Sequence, residues 1–433
     1  MNDPPLASDS VQTSIVARRI SYYGVIAVVL VPFFAFAFIF FGRLFLMNEY
    51  RQWTGSATLF NPLVIFSPAT LFNANVISVA FSRAFTFEVV AGLTAICGFD
   101  APCHDFFHIG LLAVSGLFIG AVLRRLFPAK PVLFVAGAVL FMLFAQPVTD
   151  ALAWQATLLD KLSLFFSALG TYLATRIDLR RSGWRYALGC NLAFLLVAFA
   201  AYNSKEASFA LVPSLVILLV VRFTASSERS WASLGNAVRK TCTLLAAPAL
   251  YAAFHIVVVF ISRTFLMPAE KLRITGGNAE FNLYHYFGYM FNFQPLYDFF
   301  HVYPYAPELT LKAFAIVVMA LTIGATFAVV KLASRPMILI WLWALISFVM
   351  AFLIPLRTTG VSPFYVLVPL FYLAILLCVA AAIIYDAART NGAKLSVQTV
   401  VAVLLVLHVW GLRAAFPAYM HTVEMLSLIH ISE

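Results

Sequence analysis

Charged residues stand next to long apolar runs at four places in this sequence, and their side chains could perform acid–base chemistry or bind an anion. Glu49 follows the first apolar run and Asp150 follows the third. The pair Lys205-Glu206 lies in a short connection between two later runs, and Arg357 follows another. Charges at the edge of a bilayer are costly, so their presence there indicates a function. Glu49 or Asp150 could take a proton from a hydroxyl, and Lys205 or Arg357 could bind a phosphate.

Each of these charges also has a simpler structural interpretation. Glu49 could form an interfacial ion pair with the arginine two residues later, and Arg357 could be an interfacial anchor. Lys205 and Glu206 could belong to a solvated turn, although two opposite charges between two spans favour a buried partner. Asp160 could be an acid in the first turn of a helix beside a lysine whose ammonium reaches the interface. Further candidates for the same site are His108, Trp154, Asp160 and Tyr365.

Histidine and cysteine spacing leaves two smaller questions. His104 and His108 are four residues apart at the mouth of the second apolar run, a spacing that suits metal ligation. No convincing third ligand accompanies them, so we predict no metal site. Cys97 and Cys103 are close enough in sequence to form a disulfide, but we favour two ordinary buried thiols.

The composition determines which elements must position these residues. Hydrophobic residues make up 63% of the 433 residues, charged residues 11%, and the mean hydropathy is +0.94. A soluble domain carries roughly 25% charged residues. We therefore predict an all-α polytopic membrane protein with about eleven transmembrane helices. The predicted helices lie near 22–42, 105–123, 131–149, 158–175, 186–202, 206–221, 242–262, 313–330, 336–354, 363–385 and 396–412.

Most of the 28 lysine and arginine residues lie in alternate short connections between these helices. Basic residues favour the cytoplasmic side of a membrane, so we interpret these clusters as orientation signals. The net charge of +10 is therefore not taken as a sign of nucleic-acid binding. This pattern predicts a cytoplasmic tail at 1–21 and a membrane domain at 22–412. All four charged places then fall on the outer side.

Two long outer segments are predicted at about 43–104 and 263–312. Residues 62–80 and 84–98 are expected to form short interfacial helices, and the aromatic stretch 281–305 could cover a substrate. The tail at 413–433 is expected outside. Its last seven residues resemble a translated sequencing adapter, so we expect the natural C-terminus to be lost and these residues to have no function.

Several common enzyme motifs are absent from the sequence. It contains no Walker-type loop, no glycine-rich dinucleotide fingerprint and no Gly-x-Ser-x-Gly elbow. Functions driven by nucleotide hydrolysis and serine-hydrolase activity are therefore disfavoured.

Four stretches, read in order, resemble the motifs of one enzyme group. Residues 146–154, Gln-Pro-Val-Thr-Asp-Ala-Leu-Ala-Trp, followed by Asp160, resemble a His-Pro-Val-x-x-Glu-Ala-Val-x-Trp…Asp-Leu-Leu stretch. Residues 202–207 look like a Ser-Lys-Glu segment, residues 98–108 like a Gly-x-x-Pro-x-x-x-His segment, and residues 365–369 like an Arg-Tyr-x-x-x-Pro motif. These motifs are typical of polytopic GT-C glycosyltransferases, and most similar to the group related to protein O-mannosyltransferases that often carries tetratricopeptide repeats.

The resemblance implies an inverting GT-C transfer of a sugar from a polyprenyl-phosphate carrier to a protein or glycan acceptor. It also implies a bacterial inner membrane with the active face in the periplasm. Glu49 is then expected to be the catalytic base, with Asp150 second, and Lys205 and Arg357 to bind the donor phosphate. Glu49 stands where the group has two acids, and Asp150 stands where it has a glutamate. Metal-dependent and metal-independent transfer both remain open.

Two other functional classes fit a multispanning chain of this kind. A transporter or lipid flippase would explain the helices, but it favours charges at mid-membrane depth and paired repeats of broken helices. A surface-polysaccharide polymerase or ligase shares the carrier lipid and a large outer loop. It is expected to depend on outer arginines and histidines more than on a carboxylate after the first helix.

Overall fold

The computed structural model describes most of the membrane domain and leaves several connections and both ends of the chain aside. The described residues are 29–38, 85–86, 88–90, 92–98, 100–128, 130–153, 157–178, 181, 183–225, 231–261, 279–293, 308–357 and 363–431. Within these ranges the chain forms helices and no strand, which confirms the all-α prediction for this part.

Fourteen α-helices can be numbered along the described chain. The first two are α1 at 29–37 and the short α2, Glu88–Cys97. The next helices are α3 Ala101–Leu126, α4 Val132–Leu143, α5 Gln146–Ala153, α6 Leu158–Arg176, α7 Trp184–Tyr202, α8 Leu211–Ala225, α9 Trp231–Ile261 and α10 Ala279–Met290. The last are α11 Glu308–Leu332, α12 Arg335–Leu356, α13 Leu367–Ala387 and α14 Asn391–Ile431. Two 3₁₀ segments, Glu206–Ala210 and Pro363–Val366, precede α8 and α13.

Eight of the described helices are long and apolar enough to cross a membrane. The bent pair α4–α5 adds a ninth span if it is counted as one. Helices α11 and α14 leave most of their apolar surface uncovered by the rest of the protein. Such surfaces suit lipid and would be unfavourable in water. The chain is therefore an integral membrane protein.

Three predicted spans need a separate description. Helix α6 forms at the predicted place, but many of its buried side chains are polar, so it is less apolar than the neighbouring spans. The first predicted helix is described only over residues 29–38. The last predicted helix, 396–412, lies inside the much longer α14.

The predicted single span 131–149 is wrong in one respect, because it breaks between α4 and α5 with a bend of 52°. Pro147 explains the break, since proline has no N–H to donate and its ring collides with the preceding turn. Asn292 bridges the gap. Its Nδ2 donates to the Phe144 carbonyl at 2.7 Å, and its Oδ1 accepts from the Gln146 N–H at 2.7 Å.

A second break, within α9, is repaired in the same way. Leu245 has non-helical backbone angles three residues before Pro248. Asn191 of α7 donates to the Thr243 carbonyl and accepts from the Ala247 N–H, each at 2.8 Å. Backbone groups released inside a membrane need partners of this kind.

Helix α13 lies at the centre of the bundle, and most of its apolar side chains are buried. It packs against α4, α6, α12 and α14. The neighbouring contact between α8 and α12 contains a polar cluster, in which the Trp343 indole donates to Ser214 at 3.0 Å and Ser214 pairs with Ser347 at 2.8 Å. Gly170 of α6 allows α7 and α8 to pack closely against α6, because a Cβ at this position would lie 3.1 Å from the Leu211 side chain and 3.2 Å from the Val197 side chain.

Candidate functional site

Lys205 is the centre of a buried polar cluster at one end of the bundle. Its ammonium lies 2.5 Å from Asp160 Oδ1, and it sits over the Tyr365 ring at 4.1 Å from the centroid. The Lys205 side chain is 13% exposed and that of Asp160 is 3% exposed. The lysine follows α7, the aspartate begins α6, and the tyrosine precedes α13. Three of the predicted site residues are therefore in direct contact.

Lys161 extends this cluster toward α3. Its side chain is fully buried, and its Nζ donates to His108 Nδ1 at 2.6 Å. The carboxylates of Asp105 and Asp160 both act electrostatically on the Lys161 ammonium. A charge buried in an apolar bundle requires such partners. The second turn of α3 and the first turn of α6 are thus joined through His108 and Lys161.

Asp150 lies on α5, immediately beyond the helix break. The residue is 6% exposed, and its Oδ1 has no hydrogen-bond partner among the described residues. Gln146 is one helical turn away on the same face, and its Oε1 is also buried without a donor in the described part of the chain. Two acceptor oxygens on one face of a short helix can accept hydrogen bonds from hydroxyl groups.

The aromatic helix α10 covers this face. Burial, together with the nearby Asp150 carboxylate, raises the pKa of Tyr289 to about 12. The phenol therefore stays protonated at neutral pH and can donate a hydrogen bond. Asn282 anchors α10 to the end of α12 by donating to the Leu356 carbonyl at 3.0 Å. The aromatic stretch predicted to be a covering loop is helical over Ala279–Met290.

The Asp150 face and the Lys205 cluster belong to the same end of the bundle. Thr157, just before α6, donates to the Ala151 carbonyl of α5 at 3.0 Å. The 3₁₀ segment Pro363–Val366, which carries Tyr365, packs against both α5 and α10. Asp150, whose Oδ1 has no partner among the described residues, and Lys205, which is paired with Asp160, thus lie on neighbouring elements at the same end of the bundle.

The segment containing α2 is attached to this end of the bundle at two points. The Phe85 N–H donates to the Asn203 carbonyl at 3.1 Å, two residues before Lys205. At the other end, Cys97 is bonded to Cys103 in the first turn of α3. The preference for two free thiols was therefore wrong. Gly98 adopts φ +58° and turns the chain, which brings the two Cα atoms within 5.7 Å.

We expect loss of this disulfide to loosen the site more than the bundle. In Cys97→Ser and Cys103→Ser variants, α3 would keep its packing against α6, but the segment that connects α3 to the Asn203 region would lose the cross-link that fixes its turn against the first turn of α3. A six-residue loop is short, so the expected loss of stability is about 2 kcal/mol. Limited proteolysis within 85–100 should accelerate severalfold, whereas Cys378→Ser should leave cleavage there unchanged. Equal protection in all three variants would contradict the prediction.

The remaining predicted residues have different positions. Glu49 and Trp154 lie outside the described residues. Glu206 is buried at the start of the 3₁₀ segment Glu206–Ala210. Arg357 ends α12 with an exposed side chain, and no hydrogen bond or ion pair connects that side chain to the cluster within the described structure. The described residues contain no group of three or more His, Cys, Asp or Glu side chains that could hold a metal ion.

Sequence reasoning interpreted Lys161 as a lysine whose ammonium reaches the interface, and this was wrong, because the side chain is fully buried and donates to His108. It gave Asp105 no role of its own, yet Asp105 is also buried. A signal was present, since a lysine in the first turn of a span is unusual unless it has a partner. It also missed Asn292, for which the sequence offers no signal.

Comparison of the chain with protein-family models, curated proteins and solved structures finds no match in any of the three.

Proposed function

We propose that this protein is a membrane glycosyltransferase that moves a sugar from a polyprenyl-phosphate carrier to an acceptor on the extracytoplasmic face. The observation that carries the proposal is Asp150, a buried carboxylate whose Oδ1 has no donor among the described residues. It lies at a helix break beside a protonated tyrosine, at the same end of the bundle as Lys205. This placement suits a group that receives a proton from a substrate hydroxyl.

The chemistry assigned to the site is a single displacement. The acceptor oxygen forms a bond to the anomeric carbon while the bond from that carbon to the carrier phosphate breaks. The acceptor proton passes to a carboxylate, Asp150 or the predicted base Glu49, and the carrier leaves as a polyprenyl phosphate. Lys205 is the candidate cation for that phosphate. Because Asp160 already neutralises it, phosphate binding would require Lys205 to share its charge between the two anions.

The proposed topology has about eleven spans with a cytoplasmic N-terminus. The eight apolar helices, the bent pair α4–α5, helix α6 and the partly described α1 are the elements that support it. The Cys97–Cys103 disulfide supports an outward orientation for the site, because disulfides persist in oxidising compartments such as the periplasm.

We expect Asp150→Asn to lower sugar transfer by about a hundredfold, since proton transfer by a positioned group typically contributes that factor or more. The assay uses membrane vesicles containing the full chain and radiolabelled hexose or pentose linked to polyprenyl phosphate, with label followed into protein and glycan fractions. Glu280→Gln is the matched control, because Glu280 is an exposed acid on α10 and lies on the same predicted outer face as Asp150.

Wild-type levels of transfer in both Asp150→Asn and Glu49→Gln would refute the carboxylate mechanism. Movement of the labelled donor across the vesicle membrane, without transfer of the labelled sugar to an acceptor, would instead support the flippase alternative. Thermal melting of each purified variant separates lost chemistry from lost folding.

A further inference from the structure

Three arginines converge at the opposite end of the bundle, where α3, α6 and α8 all reach their C-termini. Arg125 of α3 donates to the Thr175 carbonyl of α6 at 3.2 Å. Arg222 of α8 donates to the carbonyls of Ala174 and Ile177, the latter at 3.3 Å. The last carbonyls of α6 thus hold two guanidinium groups from neighbouring helices.

Arg176 is the third member and belongs to α6 itself. Its guanidinium lies 5.5 Å from the centroid of the Tyr172 ring. Arg125 interacts electrostatically with both Arg176 and Arg222, so it is a neighbour of both other positive charges. Arg125 and Arg176 are exposed, whereas Arg222 is half-buried. We call Arg125, Arg176 and Arg222 the arginine cluster.

Charge balance leaves the arginine cluster positive. Each helix C-terminus contributes about half a negative charge, so three such ends offset about half of the three guanidinium charges. The acid nearest in sequence, Asp178, is followed by Arg181 and Arg185 and does not reverse the balance. The remaining charge matches one monovalent anion such as a phosphodiester, and a guanidinium has five N–H donors for oxygen.

An apolar stripe for acyl chains begins beside the arginine cluster. The end of α6 is joined to the start of α7, because the Asp178 N–H donates to the Tyr186 hydroxyl at 2.9 Å. From there α7 exposes large apolar side chains at helical spacing: Trp184, Leu188, Leu192, Leu196 and Phe199. A tryptophan at the end of such a stripe is typical of the membrane–water interface.

We propose that the arginine cluster binds the phosphodiester headgroup of one anionic phospholipid, whose acyl chains lie along the apolar stripe of α7. This site is distinct from the proposed glycosyltransferase site, which lies at the other end of α3 and α6. The bound lipid balances the positive charge that the helix C-termini leave on the arginine cluster, and it fixes the ends of three central helices relative to one another.

Lipid titration of the purified full chain, followed by native mass spectrometry, tests the proposal. Wild-type protein is compared with R125Q/R176Q, which keeps Arg222 because that residue caps α6 most extensively. Each basic side chain near an anionic membrane surface contributes about a fivefold gain in affinity, so the double variant should bind phosphatidylglycerol at least tenfold more weakly. Binding of phosphatidylcholine should not change. The single variant R176Q, whose guanidinium makes no backbone hydrogen bond in the described structure, should show a smaller loss and normal melting.

The matched control is R389Q/K394Q, which removes one basic residue of the α13–α14 connection and one in the first turn of α14, on the same predicted face. It should retain phosphatidylglycerol binding. An equal loss in the control would overturn the proposal, because it would show a general charge effect. Inorganic phosphate that competes fully with the lipid at equal concentration would also overturn it, since the acyl chains would then contribute nothing.

Discussion

Asp160→Asn should be among the most destabilising single substitutions in this protein. The change removes the partner of Lys205 and one of the two carboxylates that act on the fully buried Lys161. Breaking a buried ion pair leaves an uncompensated charge and typically costs about 3–5 kcal/mol. We therefore expect a fall of several degrees in the melting temperature of the purified protein, together with reduced yield in the membrane.

An exposed ion pair provides the control for this experiment. Lys130 pairs with Asp386 at the other end of the bundle, where the aspartate side chain is 47% exposed. Exposed pairs contribute about 1 kcal/mol or less, so Asp386→Asn should barely change the melting temperature. Equal effects of the two substitutions would show that the Lys205–Asp160 pair is solvated, contrary to the structure.

A compensated double variant separates charge from packing. In Asp160→Asn/Lys205→Met both members of the pair lose their charge, and the methionine can still pack against Tyr365. Replacement of a whole buried pair by neutral groups is often nearly neutral for stability. We expect the double variant to melt well above Asp160→Asn, and sugar transfer to stay low because Lys205 is the candidate phosphate ligand. A double variant as unstable as the single one would show that the loss does not arise at the Lys205–Asp160 pair, since Lys161 lacks the Asp160 carboxylate in both variants.

Most helices were predictable because apolar runs of this length have few alternatives in a membrane protein. Helix α6 illustrates both the success and its limit. Its position was predicted from the sequence, but the reason for its polar residues is tertiary, since Asp160 and Lys161 face lysine and histidine groups of other elements. The bend between α4 and α5 was also accessible in part, because Pro147 marks it. Its bent geometry additionally requires Asn292, which is distant in sequence.

In the candidate site, too, some features were predictable from the sequence and others depend on tertiary packing. Asp160, Lys205 and Tyr365 were all predicted to be site residues, and in the structure Lys205 contacts both of the others. Arg357 matched the chemistry equally well in the sequence, but its exposed side chain makes no hydrogen bond or ion pair with these three in the described structure. The disulfide was misjudged because sequence separation alone cannot show the turn at Gly98. Local spacing predicts which groups can react, whereas long-range packing decides which of them meet.

Asn292→Leu should be the most damaging substitution of a neutral residue described here. Asn292 is 1% exposed and bonds to the Phe144 carbonyl, the Gln146 N–H and, at 3.0 Å, the His408 carbonyl of α14. Leucine would leave these groups without the partner they now have, at about 1–3 kcal/mol for each unsatisfied buried group. It would also place a branched side chain at φ +53°, which adds about 1 kcal/mol. We expect a large fall in melting temperature.

Two further variants divide this effect into its causes. Asn292→Gly removes the hydrogen bonds but accepts the positive φ, so it should be less damaging than leucine. Asn292→Asp keeps an acceptor for the Gln146 N–H and loses the donor to the Phe144 and His408 carbonyls. Asn391→Leu, at the exposed start of α14, is the control and should melt like the wild type. Because α5 carries Asp150, sugar transfer should fall in parallel with the loss of the two bonds at the break. If Asn292→Leu melted normally, the α4–α5 bend would not depend on Asn292, and Pro147 alone would have to maintain it.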